Sequence, residues 1–283
     1  MKNVNHPFIM LFAAGTVLVT ACRQHEEATP AAPQAASTAA TDQAYALATF
    51  DDALALAGES MQSANAGGRV SGEQKMSSCV RVTHNQDDKM VTLDFGATGC
   101  AAAGGRIRTG KITIFYVGRY REPDSSLRLT FDNYAVEGNQ VGGTVYLSGT
   151  RQNPSGQPEY RVTVEDGFVK FQDNGQSIAL NMTRTQVWTT GADTPQQAAD
   201  DAFAATYSGD LTDRNGTYYA VSTFQPLLLK GACATEGYYY PVSGTVSFQP
   251  ATGPAWALDF GTGACDKQAQ LTFGRVVYPI ELR

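Results

Sequence analysis

Apolar and polar residues alternate along most of the chain from residue 79 to the C-terminus. Runs such as MVTLDF, SLRLTFDNYAV and RVVYPIEL put apolar side chains on one face and polar side chains on the other, as in a half-buried β-strand. Many of the connections are too short for a helical crossover, so neighbouring strands are expected to pair antiparallel. We therefore predict a mainly β protein, built as an extended antiparallel sheet or as a sandwich.

A different period marks residues 42–66. Leu47, Phe50 and Leu54 recur at helical spacing, and Asp42 stands where a helix N-cap is expected. This pattern predicts one N-terminal helix whose apolar stripe packs on the sheet. The alternative is a helix that presents this stripe to a partner protein.

Two octets repeat within the β region. LDFGATGC at residues 93–100 and LDFGTGAC at residues 258–265 share their first four letters and end on a cysteine. Each octet lies between alternating, strand-like runs. The repetition predicts two related β modules, the first at residues 67–192 and the second at residues 193–283.

Four cysteines of the β region are candidates for disulfides. Cys79 precedes the first octet, which ends on Cys100, and Cys233 precedes the second, which ends on Cys265. Four cysteines in an exported chain allow three connectivities. The repeat favours the two local pairs, Cys79–Cys100 and Cys233–Cys265.

The first 21 residues have the pattern of a secretion signal. They contain one lysine, Lys2, and then a short apolar run, and residues 19–22 read VTAC. This ending resembles a bacterial lipobox, which implies cleavage before Cys22 and acylation of that cysteine. The alternatives are an ordinary signal sequence and a buried helix with a chance cysteine. We expect residues 1–21 to be a lipoprotein signal peptide and the acyl chains on Cys22 to anchor the protein in a membrane.

Residues 22–41 are rich in Ala, Pro, Thr and Gln and show no apolar periodicity. We therefore predict that they form a flexible tether. Glu26 and Glu27 lie close behind the acylated cysteine, where acidic residues act as a surface-export signal in some outer-membrane lipoproteins. They can equally be solvated linker charges, so both the periplasmic and the cell-surface face of the outer membrane stay open.

The charge balance and the scarcity of histidine narrow the partners. The chain has 21 basic and 27 acidic residues and a formal net charge of −6. A general nucleic-acid-binding protein needs a basic surface to displace phosphate counterions, so we expect no nucleic-acid partner. Only three histidines occur, and we expect neither a histidine-based zinc site nor any other metal or cofactor.

Two aspartates and two tyrosines are the candidate ligand-binding residues. Asp94 and Asp259 occupy matching positions in the octets. A pair of carboxylates can serve glycoside hydrolysis, but an aspartate before a glycine turn also accepts backbone N–H bonds and organises its loop. Tyr219 and Tyr239 lie in tyrosine-rich runs that alternate across a strand, so their rings either stack on a sugar or partner or pack in the core.

The chain resembles a family of exported lipoproteins from Bacteroidota-type bacteria. The resemblance rests on the lipobox ending at Cys22, on GKITIFYVGRYREPDSSLRLTFDNYAVEGNQVGGTV, and on the closing PVSGTVSF and LDFGTGACDKQAQLTFGRVVYPIELR runs. The loop at residues 261–264 departs from the gly-asp-gly-thr that such proteins often carry, which weakens an expectation of a metal-binding acid there. The resemblance implies export, lipidation and a β fold, and it brings no activity.

No recognisable catalytic constellation accompanies these features. We therefore expect a lipid-anchored outer-membrane or cell-surface lipoprotein that acts as a non-enzymatic binding, adhesive or envelope-structural module. Its expected partners are the membrane, through the lipid anchor, and a glycan or an envelope protein. The alternative is a carbohydrate-active surface protein that binds or hydrolyses glycans through Asp94 or Asp259.

Overall fold

The computed structural model describes residues 32–65, 79–101, 105–120, 122–194 and 197–282. The predicted signal peptide, Cys22 and the first part of the predicted tether lie outside the described residues. Helix α1 spans Gln34–Asn65, and a second, short helix, α2, spans Gly231–Thr235. The strands are β1 Arg81–Asn85, β2 Met90–Asp94, β3 Cys100–Ala101, β4 Ile107–Val117, β5 Ser126–Val136, β6 Asn139–Leu147, β7 Arg151–Gln152, β8 Pro158–Lys170, β9 Ser177–Thr190, β10 Ala202–Thr212, β11 Tyr218–Lys230, β12 Ser243–Pro250, β13 Trp256–Thr262, β14 Gln268–Phe273 and β15 Val276–Glu281.

The protein is mainly β, as predicted, and all 15 strands belong to one antiparallel sheet. The strand order runs from β1 to β15 with each strand beside a near neighbour in sequence, while β3 and β7 pair on the side with β4 and β8. Strand β9 pairs with β10 along its length, so the sheet continues without a break through the predicted module boundary at residue 193. Of the two predicted architectures, the extended sheet is therefore correct and the sandwich is not.

Helix α1 begins eight residues earlier than predicted, so the tether assigned to residues 22–41 was wrong from Gln34 onward. The helix is buried around most of its circumference, because Ala39, Ala40, Ala48 and Leu56 point in four different directions and are all almost inaccessible. A helix enclosed in this way needs no narrow amphipathic stripe. Alanine is the strongest helix former and lets the surrounding strands approach closely, and so the alanine-rich stretch folds although it has no periodicity.

The sheet curves around helix α1. Asp51 and Asp52 are adjacent on the helix, yet Asp51 pairs with Arg184 on β9 and Asp52 pairs with Arg108 on β4. These two strands stand four places apart in the sheet, which is roughly 19 Å in a flat sheet. Side chains of one helical turn reach both strands only because the sheet bends around the helix.

Asp42 is a buried ion-pair partner and does not cap the helix. It lies in the third turn of helix α1, is 0% exposed, and accepts a hydrogen bond of 2.8 Å from Nε of Arg214. The backbone N–H of Arg214 also donates to the Asp42 carboxylate. The prediction of an N-cap was wrong because a longer helix places this carboxylate beside the β10–β11 turn.

The two octets share a local hydrogen bond, although Asp94 ends β2 and Asp259 lies inside β13. Asp94 accepts a hydrogen bond of 2.9 Å from the N–H of Gly96, and Asp259 accepts one of 2.7 Å from the N–H of Gly261. Both glycines have positive φ, 72° and 88°, a conformation that glycine adopts at little cost.

Both local disulfides are confirmed. Cys79 is bonded to Cys100, and Cys233 is bonded to Cys265. The second bond connects helix α2 to the end of the second octet. Lys230 strengthens the same connection, because its Nζ donates a hydrogen bond of 2.9 Å to the carbonyl of Gly263 within that octet.

Removing the second disulfide is expected to lower the free energy of unfolding by about 4 kcal/mol, because the bond closes a long loop in the unfolded chain. The cysteines are 32 residues apart in sequence. Urea unfolding of the Cys233→Ala, Cys265→Ala double variant, compared with the parent under oxidising conditions, measures the loss. The matched Cys79→Ala, Cys100→Ala variant removes the bond between cysteines 21 residues apart. It should lose slightly less stability, because the loop is shorter. Equal unfolding midpoints for parent and double variants would contradict this expectation.

Candidate functional site

A cavity of about 430 Å³ opens between the C-terminal half of helix α1 and the inner face of the sheet. Strands β8 to β11 supply the wall opposite the helix, and helix α2 with the loop that follows it closes one side. The volume falls within the range of small-molecule sites, roughly 300–1,000 Å³, and most of the lining side chains are apolar or aromatic, as such sites require.

Six aromatic side chains line the cavity, and three of them are consecutive. They are Tyr120, Tyr160, Phe203, Tyr238, Tyr239 and Tyr240. The sequence predicted that residues 238–240 belong to a strand and point alternately to opposite faces. That prediction was wrong, because β12 begins at Ser243 and these three residues lie in the loop after helix α2. Side chains in a loop do not alternate between two faces, so all three rings can line the same cavity.

The polar part of the wall lies on β9. Its inward side chains are apolar at first and then change to Arg184 and Gln186, which are both 4% exposed. Arg184 Nη1 donates a hydrogen bond of 2.8 Å to Asp51, and Nη2 donates to the other carboxylate oxygen. The Nε–H of Arg184 has no hydrogen-bond partner within the described ranges.

The cavity is close to electrically neutral. Its charged side chains are three acids and two bases, namely Asp51, Glu59, Asp201, Arg184 and Lys230. Besides the ion pair on β9, Asp201 accepts a hydrogen bond of 3.0 Å from the indole N–H of Trp188. Glu59 lies at the exposed mouth, and desolvation by the surrounding chain raises the pKa of its carboxyl.

Tyr239 connects the cavity to a second buried ion pair. Burial raises the pKa of the Tyr239 hydroxyl well above its ordinary value, and the nearby Asp52 carboxylate raises it further. Asp52 accepts hydrogen bonds from Nε and Nη2 of Arg108, at 3.0 and 2.6 Å. Tyr239 therefore stands as a neutral phenol between the cavity and this pair.

Gly58 makes room for one of the aromatic walls. A Cβ atom at this position would stand 2.6 Å from the Tyr120 hydroxyl. Glycine within a helix costs about 1 kcal/mol relative to alanine. A larger residue at this position would clash with Tyr120, which explains the glycine. The Tyr120 ring lies against the helix here and forms part of the cavity wall.

The structure separates the predicted site residues. Tyr239 lines the cavity, whereas Tyr219 is buried elsewhere against Phe248 and Trp256. Asp94 and Asp259 lie on β2 and β13, nine places apart in the strand order, and each accepts a hydrogen bond from the backbone of its own octet.

The first predicted aspartate behaves as a turn residue. The hydrogen bond from the Gly96 N–H lowers the pKa of the Asp94 carboxyl, and the neighbouring Lys111 lowers it further. A low pKa suits a structural carboxylate better than a general acid, which needs a raised one. No described contact joins Asp94 to Asp259, so the paired-carboxylate arrangement is not formed.

Arg184 and Gln186 were missed as site residues. The sequence carries a signal for them, since the inward positions of SIALNMTRTQVW read Ile, Leu, Met, Arg, Gln, Trp. Two polar residues at consecutive inward positions of a strand must meet either partners or a cavity. Asp51, their neighbour on the helix, is hidden in the sequence because a charged residue beside an apolar stripe is expected to face solvent.

Comparisons with protein-family models, with curated proteins and with solved structures find no match to this chain. Among the described residues, no helix is long and apolar enough to cross a bilayer. Within the described residues, no three His, Cys, Asp or Glu side chains lie close enough together to hold a metal ion.

Proposed function

We propose that the protein is a lipid-anchored envelope lipoprotein whose folded part is a non-enzymatic binding module, with the cavity beside helix α1 as its binding site. The observation that supports this most is a neutral, aromatic-lined cavity of about 430 Å³ beside an otherwise continuous hydrophobic core. A concave site with few polar groups is the usual form of a small-molecule site.

The lipid anchor is supported by the lipobox at residues 19–22 and by the two disulfides. Disulfides form and persist in oxidising compartments such as the bacterial periplasm and the cell surface. A protein held at a membrane by acyl chains on Cys22 places its folded part within a tether's length of the bilayer.

Changing Cys22 to Ser is expected to release the protein from the membrane, because serine cannot carry the thioether-linked lipid. The measurement is fractionation of cells into membrane and soluble parts, followed by mass determination of the released chain. Ala28→Ser serves as a matched control outside the lipobox and should stay with the membrane. A Cys22→Ser protein that still sediments with membranes and floats with them in a density gradient would overturn the anchor.

The carbohydrate-active alternative, acting through Asp94 or Asp259, has less support. Glycoside hydrolysis by the pair needs both carboxylates at one cleft, and each carboxylate instead accepts a hydrogen bond from a nearby glycine N–H.

The binding function is tested by blocking the cavity. Ala55 lines it and is exposed at its mouth, so Ala55→Trp should abolish ligand uptake. Ala35→Trp, an exposed position on the same helix outside the cavity, is the matched control.

A further inference from the structure

Most charged groups of the cavity already have partners. Asp51 is bonded to Arg184, Asp201 to Trp188, and Lys230 to the carbonyl of Gly263. A ligand with many hydroxyl groups would therefore depend on the tyrosine hydroxyls and one amide for its hydrogen bonds, and each buried polar group left unsatisfied carries a substantial penalty. Such a ligand is disfavoured here even though aromatic rings surround it.

Gln186 supplies that amide. Its side chain is buried and lines the cavity, and its amide makes no hydrogen bond to any residue in the described part of the chain. An amide offers one acceptor oxygen and N–H donors. The Nε–H of Arg184, two residues before it on the same face of β9, also has no described partner, but this nitrogen is fully buried and does not face the open space. The Gln186 amide therefore offers the cavity both donors and an acceptor.

Charge argues against an ionic ligand. Arg184 is already neutralised by Asp51, which receives hydrogen bonds from both of its terminal nitrogens. An anionic ligand would compete with that carboxylate, and a cationic ligand would need to displace the guanidinium. Bringing an unpaired charge into an apolar, aromatic space is costly.

Resting on the proposed binding function, we propose that the ligand is an uncharged aromatic small molecule that carries a single amide-like hydrogen-bonding edge. Its flat body stacks among the tyrosine rings and Phe203, an arrangement that aromatic rings favour in offset or edge-to-face geometry. Its carbonyl accepts a hydrogen bond from the Gln186 amide N–H, and its own N–H donates to the Gln186 amide oxygen. The ring of Tyr120, which lies against Gly58, supplies part of the aromatic wall.

The experiment uses the full chain with Cys22→Ser and follows the fluorescence of N-phenylnaphthylamine, an uncharged aromatic dye. Competitors of graded chemistry then displace the dye: naphthalene, naphthamide, naphthoate and methyl glucoside. Naphthamide is expected to bind about tenfold more tightly than naphthalene, as one additional satisfied hydrogen bond allows. Naphthoate should bind more weakly than naphthamide, and methyl glucoside should not displace the dye.

Two variants locate the effect. In Gln186→Leu the advantage of naphthamide over naphthalene should disappear while naphthalene still binds; Gln270→Leu, an exposed residue on β14, should keep the advantage. Ala55→Trp should abolish dye binding, and Thr235→Trp, at another exposed lining position, repeats the test if Ala55→Trp fails to fold.

The outcomes separate the two proposals. Dye binding that Ala55→Trp and Thr235→Trp block, with naphthoate or methyl glucoside as the tightest competitor, overturns the ligand class and leaves the binding site in place. Equal displacement by naphthamide and naphthalene in the parent also overturns the class. Dye binding that neither blocking variant changes, or no dye binding at all, overturns the cavity as the binding site.

Discussion

Replacing Asp52 with alanine is expected to lower the free energy of unfolding by about 3–5 kcal/mol, the usual cost of breaking a buried ion pair from one side. Both Asp52 and its partner Arg108 have fully buried side chains. Without the carboxylate, the Arg108 guanidinium stays in the interior as an uncompensated charge, and Arg106, whose Nη1 lies 3.5 Å from Asp52, loses the same partner. Urea unfolding followed by circular dichroism measures the loss.

Two further variants show where the cost comes from. Glu122→Ala breaks an exposed pair with Arg119, whose side chain is 69% exposed, and should change stability by less than about 0.5 kcal/mol. The double variant Asp52→Leu, Arg108→Met removes both charges and should recover most of the stability, because an apolar pair of similar volume has no desolvation penalty. An Asp52→Ala protein as stable as Glu122→Ala would show that water reaches Arg108.

The strands and the octets could be predicted from sequence because each depends on residues that are close together in the chain. The strands were predictable because their inward and outward positions differ in polarity, as along Met90–Asp94 and Ser177–Thr190. The local structure of the octets was predictable because aspartate accepts a hydrogen bond from a backbone N–H two residues later and glycine adopts a positive φ. These are properties that a few neighbouring residues determine by themselves.

The enclosed helix and the cavity depend on residues far apart in the chain. Asp42 reads as a cap until Arg214, 172 residues later, is placed beside it. The residues at 34–41 read as a tether until a curved sheet surrounds them. The tyrosines at 238–240 read as a strand until the disulfide at Cys233 fixes helix α2 before them. In each case tertiary contacts decide what the local pattern leaves open.

The curved sheet also gives the second octet a role beyond its own turn. Cys265 and Gly263 connect that octet to helix α2 and to Lys230, which both border the cavity. The first octet has the same local hydrogen bond and a disulfide of its own, but its partners do not line the cavity. The repeat is therefore a repeated structural unit, and only its second copy supports the candidate site.

The protein is expected to lose stability steeply above pH 10 because several tyrosine hydroxyls are buried. Burial raises the pKa of Tyr240 to about 12, and it raises the pKa values of Tyr134, Tyr207 and Tyr239 further. Below pH 10, the ordinary tyrosine pKa, these hydroxyls are neutral in both the folded and the unfolded chain, so the full stability is present. Above it, the unfolded chain releases protons that the folded chain retains, and stability falls as pH rises.

Each buried tyrosine should cost about 1 kcal/mol between pH 10 and pH 11, where the unfolded chain is only partly ionised, and about 1.4 kcal/mol per pH unit above that. The four together therefore cost about 4 kcal/mol between pH 10 and about pH 11. For Tyr240 the loss ends near its folded pKa of about 12, whereas for the other three it continues. Urea unfolding at stepwise alkaline pH gives the slope. Tyr134→Phe keeps a buried ring without the hydroxyl, so its slope should be about one quarter smaller. Tyr218→Phe removes an exposed hydroxyl and should leave the slope unchanged. A slope that Tyr134→Phe does not reduce would mean that the folded protein opens around Tyr134 before the hydroxyl ionises, and the interior between helix α1 and the sheet would then be less tightly closed than its packing indicates.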